Sequence, residues 1–378
     1  MNIAVLKETT SGENRTAIIP TIVKKLIDLG AAVTVEKGVG VGSGFSDDDY
    51  KEAGAKIAAK KESMLAAADI VLRLNNPSVE DVASMKKGAV SISYMDPLND
   101  HELLKAMVKQ GVSGISMEFV PRTTLAQKMD ALSSQANLGG YVAVVLAAER
   151  SNKILPMLMT PAGTIPPSRI FIIGAGVAGL QAIATAKRMG ARVEAFDTRP
   201  VVREQVESLG GKFVEVDLGE TGETKDGYAK ELTAEQLALQ QEAMAKHCAL
   251  ADIVITTAQV FGRKAPVIIK KEMIDRMKAG SIIVDMAVET GGNVEGAKLD
   301  KEVVTKNGVK IIGLGKLPNF VASHASLMYS SNLYNMLEHF WNKEENKFEL
   351  KIEDEIIDGC LIVHDGEIRN EMVKNSMK

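Results

Sequence analysis

Short apolar runs alternate with longer segments of mixed polarity along most of this chain, and glycine marks many of the joins. Seven helix-like segments close on glycine: Asp28-Leu29-Gly30, Lys86-Lys87-Gly88, Lys109-Gln110-Gly111, Arg188-Met189-Gly190, Ser208-Leu209-Gly210, Lys278-Ala279-Gly280 and Lys306-Asn307-Gly308. Glycine tolerates the left-handed conformation that ends a helix, and the cations in several of these last turns suit the negative end of the helix dipole. Apolar runs follow at Ala32–Glu36, Ala89–Tyr94, Ser113–Glu118, Arg192–Phe196, Lys212–Val216, Ser281–Asp285 and Val309–Ile312, and these read as strands. Strands alternating with helices imply βαβ units and parallel sheets.

The alternation fills both the N-terminal third and the middle of the chain. It predicts an α/β fold of two Rossmann-like parallel-sheet domains. The first takes residues 1–130 and the second residues 131–318. Leu327, Leu333, Met336, Leu337, Phe340 and Trp341 recur at helical spacing. A helix there crosses back, so that residues 319–378 complete the first domain. A ligand is then expected in the cleft between the domains, at the carboxyl ends of the strands.

One join carries chemistry. The apolar strand Ile170–Ile173 runs straight into Gly174-x-Gly176-x-x-Gly179, a small-residue helix follows to Gly190, and the strand Arg192–Phe196 delivers Asp197. The first glycine permits a tight turn, the second lets a pyrophosphate approach the backbone, and the third lets the helix pack closely on the sheet. Free N–H groups and the positive dipole end of the helix face the phosphates. Asp197 stands near the spacing of the carboxylate that accepts from the adenosine ribose. That carboxylate would repel a 2′-phosphate, which favours NAD(H), although Arg199 is a residue able to hold such a phosphate. Arg199 otherwise reads as a solvated surface side chain.

Gly219–Leu232 breaks the pattern. It is polar and rich in glycine, with Tyr228 beside Gly227, and Thr233-x-x-Gln236 then reads as a capping box. On composition the run is a surface loop, or a lid hinged at glycine.

Composition narrows the classes. Two domains are the natural prior for 378 residues, and 46% apolar content supplies their cores. A net charge of −4 gives no reason to expect a nucleic-acid partner. Cys248 and Cys360 stand alone and the five histidines are scattered, so neither a disulfide framework nor a metal site is expected. Met1–Lys7 reads as a strand rather than a signal peptide. Ala131–Ala148 lacks charge, but Ser133, Ser134, Gln135 and Asn137 make it too polar for a membrane span.

The segment Pro121-Arg122-x-x-x-x-Gln127-Lys128-Met129-Asp130-Ala131-Leu132-Ser133-Ser134-Gln135-Ala136-Asn137-Leu138-x-Gly140-Tyr141 is more specific. With Thr160-x-Ala162-Gly163-Thr164-Ile165-Pro166-Pro167 and Gly174–Gln181, it resembles the soluble NAD(H)-binding component, domain I, of proton-translocating NAD(P) transhydrogenase. Alanine dehydrogenase shares that architecture. The resemblance covers essentially the whole chain. It implies that Arg122, Gln127, Met129, Asp130 and Ser133 hold the nicotinamide and its ribose, with Arg122, Gln127 and Asp130 closest to the reaction and Gln127 on the carboxamide. It implies that Gly174, Gly176, Val177, Ala178 and Gly179 hold the pyrophosphate. Asp197, Thr198 and Arg199 would flank the adenosine, and Gln240 and Gln259 would border the adenine. Gly227-Tyr228-Ala229-Lys230-Glu231 matches the family's mobile loop, which favours the lid. By themselves, Arg122 and Asp130 read equally as an ion pair at a helix start, and Ser133 as a cap.

The resemblance further implies NADP(H) on a partner, namely an NADP-binding beta subunit, together with a second, membrane-spanning alpha polypeptide. It also implies a homodimer and a cytoplasmic, peripheral position on the inner face of the membrane. The end at Lys378 resembles the split bacterial arrangement, in which the membrane helices of the alpha subunit form a separate polypeptide.

Departures from alanine dehydrogenase bear on the reaction. That enzyme carries a lysine where this chain has Asn75, a histidine where it has Asp96 and an aspartate where it has Glu289, while Arg15 is retained. Oxidising an amino acid needs general acid–base chemistry at nitrogen and at water. Passing hydride between two nicotinamides needs none, only close approach of the two C4 atoms. The expected function is therefore the NAD(H) subunit of a transhydrogenase. The alternatives are an alanine dehydrogenase-type oxidoreductase and a nucleotide-binding regulator without catalysis.

Overall fold

The computed structural model describes residues 1–216 and 233–378. They form two compact units, Met1–Gln135 with Val321–Lys378, and Ala136–Phe320.

The first unit is built on an eight-stranded sheet. Its spatial order is Glu367–Ile368, Leu361–His364, Ser113–Ser116, Val90–Ser93, Ile70–Leu72, Asn2–Val5, Ala32–Val35 and Lys56–Ile57. The last six run parallel, and the two strands from the C-terminal segment add on antiparallel. The inner strands are apolar along most of their length because both faces of the sheet are covered. The helix Ala322–His339 covers part of one face with Tyr329, Leu333, Met336 and Leu337, in one core with Ile3, Val5, Ile70 and Ile92. Tyr329 donates its hydroxyl to Arg73 O at 3.0 Å, which ties this helix to the carboxyl end of the Ile70–Leu72 strand.

The second unit holds a seven-stranded sheet in the order Lys212–Phe213, Arg192–Phe196, Arg169–Ile173, Ile253–Thr256, Ile282–Asp285, Lys310–Gly313 and Lys301–Val304. Only the last strand is antiparallel. The chain leaves Arg169–Ile173 toward one side and later returns on the other. The strand order therefore reverses between Arg169–Ile173 and Ile253–Thr256, the place where an open α/β sheet leaves a crevice at its carboxyl edge.

All seven join glycines adopt left-handed φ, between 70° and 94°. One join differs in kind. Gly308 closes an antiparallel hairpin of Lys301–Val304 on Lys310–Gly313 and does not follow a helix. The β-branched pair Val303 and Val304 takes ladder positions opposite Ile311 and Lys310, which decides for strand.

The helix Ala131–Arg150 starts in the first unit and continues into the second. By length and composition it is apolar enough to cross a membrane, with a mean hydropathy of 1.2, against the expectation from its polar first turns. Half of that stretch is buried inside the protein, as in the core helix of a folded domain. A Cβ on Gly140 would stand 2.1 Å from Ala178 O, so only glycine allows this approach to the helix Val177–Arg188. Both cysteines are buried, and burial pushes each thiol up to about 12, so neither supplies a thiolate.

Candidate nucleotide-binding site

In the second unit, Ile173 ends its strand and Gly174 turns the chain with φ 96°. A Cβ there would meet Thr257 Oγ1 at 2.5 Å. Thr257 stands at the end of the neighbouring strand and braces the turn. Its N donates to Ile173 O at 2.9 Å and its hydroxyl to Gly174 O at 3.0 Å. Gly179, in the first turn of the helix, packs directly on Gly174, where a Cβ would lie 1.9 Å from the Gly174 carbonyl oxygen. Gly176 is the opposite case. The space beside it is open, and an added Cβ would meet only Arg199 Nη2 at 4.0 Å. As N-cap it brings no side chain to the helix start, and Val177 beside it is exposed. Two glycines are thus required by the protein's own packing, while the third leaves room that an incoming phosphate would fill. The residues present fit a dinucleotide.

Asp197 sits at the end of its strand and is almost fully engaged. Oδ2 accepts from Ala175 N at 2.8 Å and from Arg199 Nη2 at 3.0 Å. Oδ1 accepts from Arg199 N at 2.8 Å and Nε at 3.0 Å. Arg199 is therefore neither a solvated cation nor free for a 2′-phosphate. It forks onto Asp197, with side-chain exposures of 16% and 7%. A ribose that takes its place on Asp197 must displace this guanidinium.

Gln240, on the helix Ala234–Leu250, is 8% exposed, and its Oε1 has no hydrogen-bond partner among the described residues. A buried amide oxygen left unpaired is costly unless a ligand completes it. Gln259 is exposed and donates to Met286 O at 3.1 Å. Its loop is fixed from below by two residues that pattern reading missed. Asn293 clasps Ala258, accepting from its N at 3.0 Å and donating to its O at 2.8 Å. Asp285, fully buried, accepts from the backbone N–H groups of Ala287, Asn293 and Val294, and burial pushes its carboxyl above the usual range. The one available signal was their place just after apolar strands, at the carboxyl edge. Gly227 and Tyr228 lie outside the described residues.

The first unit carries the other set. Gln127 opens the 3-10 turn Gln127–Met129, and it is exposed, while Arg122 is also exposed. Asp130, rather than Ser133, caps the helix that follows. Its carboxylate accepts from Ser133 N at 2.8 Å and Ser133 Oγ at 2.5 Å. Met129 is corrected by the structure. At 0% exposure it belongs to the core cluster and has a packing role, not a surface on which a ligand could rest.

At the carboxyl edge of this unit's sheet lies a dense polar network. Arg15 forks onto Glu13, with Nε to Oε1 at 2.8 Å and Nη2 to Oε2 at 2.7 Å. Burial pushes the Glu13 carboxyl up, but the Arg15 fork more than offsets this and holds it below its ordinary range. Arg73 binds Asp81 at 2.9 Å and lies 3.6 Å from Glu8, whose carboxyl burial keeps raised. Asn75 donates its Nδ2 to Glu8 at 2.9 Å and reaches Glu13 at 3.4 Å. Asp96 has φ 47°, and Glu118 holds it there by accepting from Met95 N and Asp96 N. The groups of this network bind one another, and a neutral amide stands at its centre.

Comparison with known proteins agrees with this geometry. Residues 4–139 match the family described as alanine dehydrogenase/PNT, N-terminal domain, and residues 143–371 match its C-terminal domain. The first of the two alpha polypeptides of NAD(P) transhydrogenase from Rickettsia prowazekii is 46% identical over 378 residues, covering 99% of this chain and 97% of that one. Its counterpart in Rhodospirillum rubrum is 45% identical over 375 residues, 97% of each chain. The crystal structure of transhydrogenase from Sinorhizobium meliloti superposes with a TM-score of 0.88 at 42% identity, covering 97% of this chain and 100% of that one. On these matches over nearly its whole length, the chain belongs to the alanine dehydrogenase/PNT family, among the NAD(P) transhydrogenase alpha subunits.

Proposed function

We propose that this chain binds NADH and passes its hydride to NADP⁺ held by a separate beta subunit. The turn Gly174–Gly179 takes the pyrophosphate, with Asp197 on the adenosine ribose and Gln240 and Gln259 at the adenine. Arg122, Gln127, Asp130 and Ser133 orient the dihydronicotinamide, and Gly227 and Tyr228 belong to a lid over the nucleotide. The observation that carries the reading is the open space at Gly176 between two glycines that the packing requires.

In the reaction, the C4 hydrogen leaves NADH with two electrons and arrives at C4 of NADP⁺, giving NAD⁺ and NADPH. No substrate oxygen or nitrogen changes protonation, so no side chain has to accept or give a proton. What the chain must supply is approach of the two carbons to about 3–3.5 Å. The network around Asn75 supports this over amino-acid oxidation. Its carboxylates are bound by Arg15, Arg73 and a neutral amide, a set without the lysine or histidine that would serve as acid or base.

We extend the proposal to assembly. The chain works with a second, membrane-spanning alpha polypeptide, couples hydride transfer to proton translocation, and lies on the cytoplasmic face of the membrane. It does so as a homodimer. The hairpin of Leu158–Thr160 on Gly163–Ile165 supports the last point, since two strands alone are marginal and its apolar side chains are exposed, Met159 to 71%.

Purified chain given NADH and NADP⁺ is expected to form almost no NADPH, and to form it rapidly once an NADP-binding beta subunit is added. Alanine with NAD⁺ should give no reduction. Alanine-dependent NAD⁺ reduction by the chain alone would overturn the reading in favour of the dehydrogenase.

A further inference from the structure

The nicotinamide set stands on two short pieces of chain, the turn Gln127–Met129 and the first turn of the helix Ala131–Arg150. One residue from far along the sequence joins them. Asn332, on the helix Ala322–His339, donates its Nδ2 to Lys128 O at 3.0 Å and accepts from Ser134 Oγ at 2.7 Å. Lys128 adjoins Gln127, and Ser134 adjoins Ser133. Both ends of one amide are thus used, one on each piece. Asn332 is 6% exposed, and its neighbour Leu333, with Met336 and Leu337, is sunk in the core of the first unit, so its position is fixed from behind. Asn335, one turn on, also donates to Lys128 O, at 2.9 Å, but this is a single bond to one piece.

We propose that Asn332 is a positioning residue for hydride transfer, fixing Gln127 relative to Asp130 and Ser133. The proposal rests on reading those three as the groups that orient the dihydronicotinamide. The physical argument is lever-like. A side chain that only orients its ligand must itself be held to a fraction of an ångström, and misplacement by about 1 Å can cost about a hundredfold in rate. Neither the turn nor the helix start is long enough to secure that alone.

The variant Asn332→Leu tests it. Leucine has a similar volume, and neither former partner is left unpaired, since Lys128 O keeps Asn335 and Ser134 Oγ keeps Ala131 O at 3.1 Å. The complex with the beta subunit should transfer hydride about ten- to a hundredfold more slowly in single turnover. Affinity for ADP-ribose, which has the adenosine and pyrophosphate but no nicotinamide, should stay within about twofold, because its contacts lie elsewhere. Asn335→Ala should leave the rate within about twofold. Gln127→Asn, run beside them, separates the positioning role from the nicotinamide reading. If it slows transfer while Asn332→Leu does not, the positioning role is wrong and the nicotinamide reading stands. If it leaves transfer unchanged, that reading falls and the proposal with it. Equal loss of ADP-ribose affinity and of rate in Asn332→Leu would mark a merely structural role and overturn the proposal. Should that variant not fold, Ser134→Ala cuts one arm of the bridge. A several-fold loss of rate supports the proposal, and an unchanged rate overturns it.

Discussion

Gly179→Ala is expected to abolish useful NADH binding, and Gly176→Ala to do the same for a different reason. At Gly179 the new methyl would stand 1.9 Å from Gly174 O and 2.9 Å from Gly174 C, both backbone atoms. The helix Val177–Arg188 must then move off the turn, at a cost of about 1–3 kcal/mol in stability. The N–H groups that would face the pyrophosphate move with it. Losing two charge-assisted hydrogen bonds at about 1.5 kcal/mol each lowers affinity by about a hundredfold or more. At Gly176 the methyl meets only Arg199 Nη2 at 4.0 Å, so the free protein should melt at the wild-type temperature. Its methyl occupies the space kept open for phosphate, and binding should fail without any loss of stability. Nucleotide fluorescence titrations beside thermal melts separate the two effects. Wild-type affinity in both variants would remove the turn from the binding site.

Asp197→Ala should shift nucleotide preference. The carboxylate accepts four hydrogen bonds, three of them from Arg199. Without it the ribose loses its charged acceptor, worth about 1.5–3 kcal/mol, so NADH should bind about ten- to a hundredfold more weakly. Arg199 is at the same time released beside the 2′ position, where a phosphate can take both prongs of its fork. NADPH should therefore lose nothing or gain, and the NADH-to-NADPH affinity ratio should fall by at least about a hundredfold. Titration with both nucleotides reads the ratio directly. An unchanged ratio would mean that Asp197 holds only its own loop.

The turn at Gly174–Gly179 was legible in the sequence because each glycine there answers a local steric demand, and local demands leave spacing in the chain. The strand alternation was legible for the same reason. Gly308 misled, because a left-handed glycine ends a hairpin as readily as a helix, and only pairing opposite Lys310 and Ile311 decides. Met129 looked like part of a polar motif but points into the core. Arg199 lies two residues from Asp197, yet spacing gives proximity and not the fork that binds them. Asn332, Asn293 and Asp285 left no trace in the pattern. Each acts on backbone atoms brought near only by the fold, Asn332 across 204 residues.

If hydride passes directly, no proton is taken from or given to a side chain, and the transferred hydrogen never meets solvent. The most direct test follows deuterium placed on the transferred face of C4 in NADH, with this chain, the beta subunit and NADP⁺ in ordinary water. The label should arrive in NADPH in full, with none appearing in water. Deuterium washed into solvent, or NADPH formed only when an amino acid is present, would contradict direct transfer.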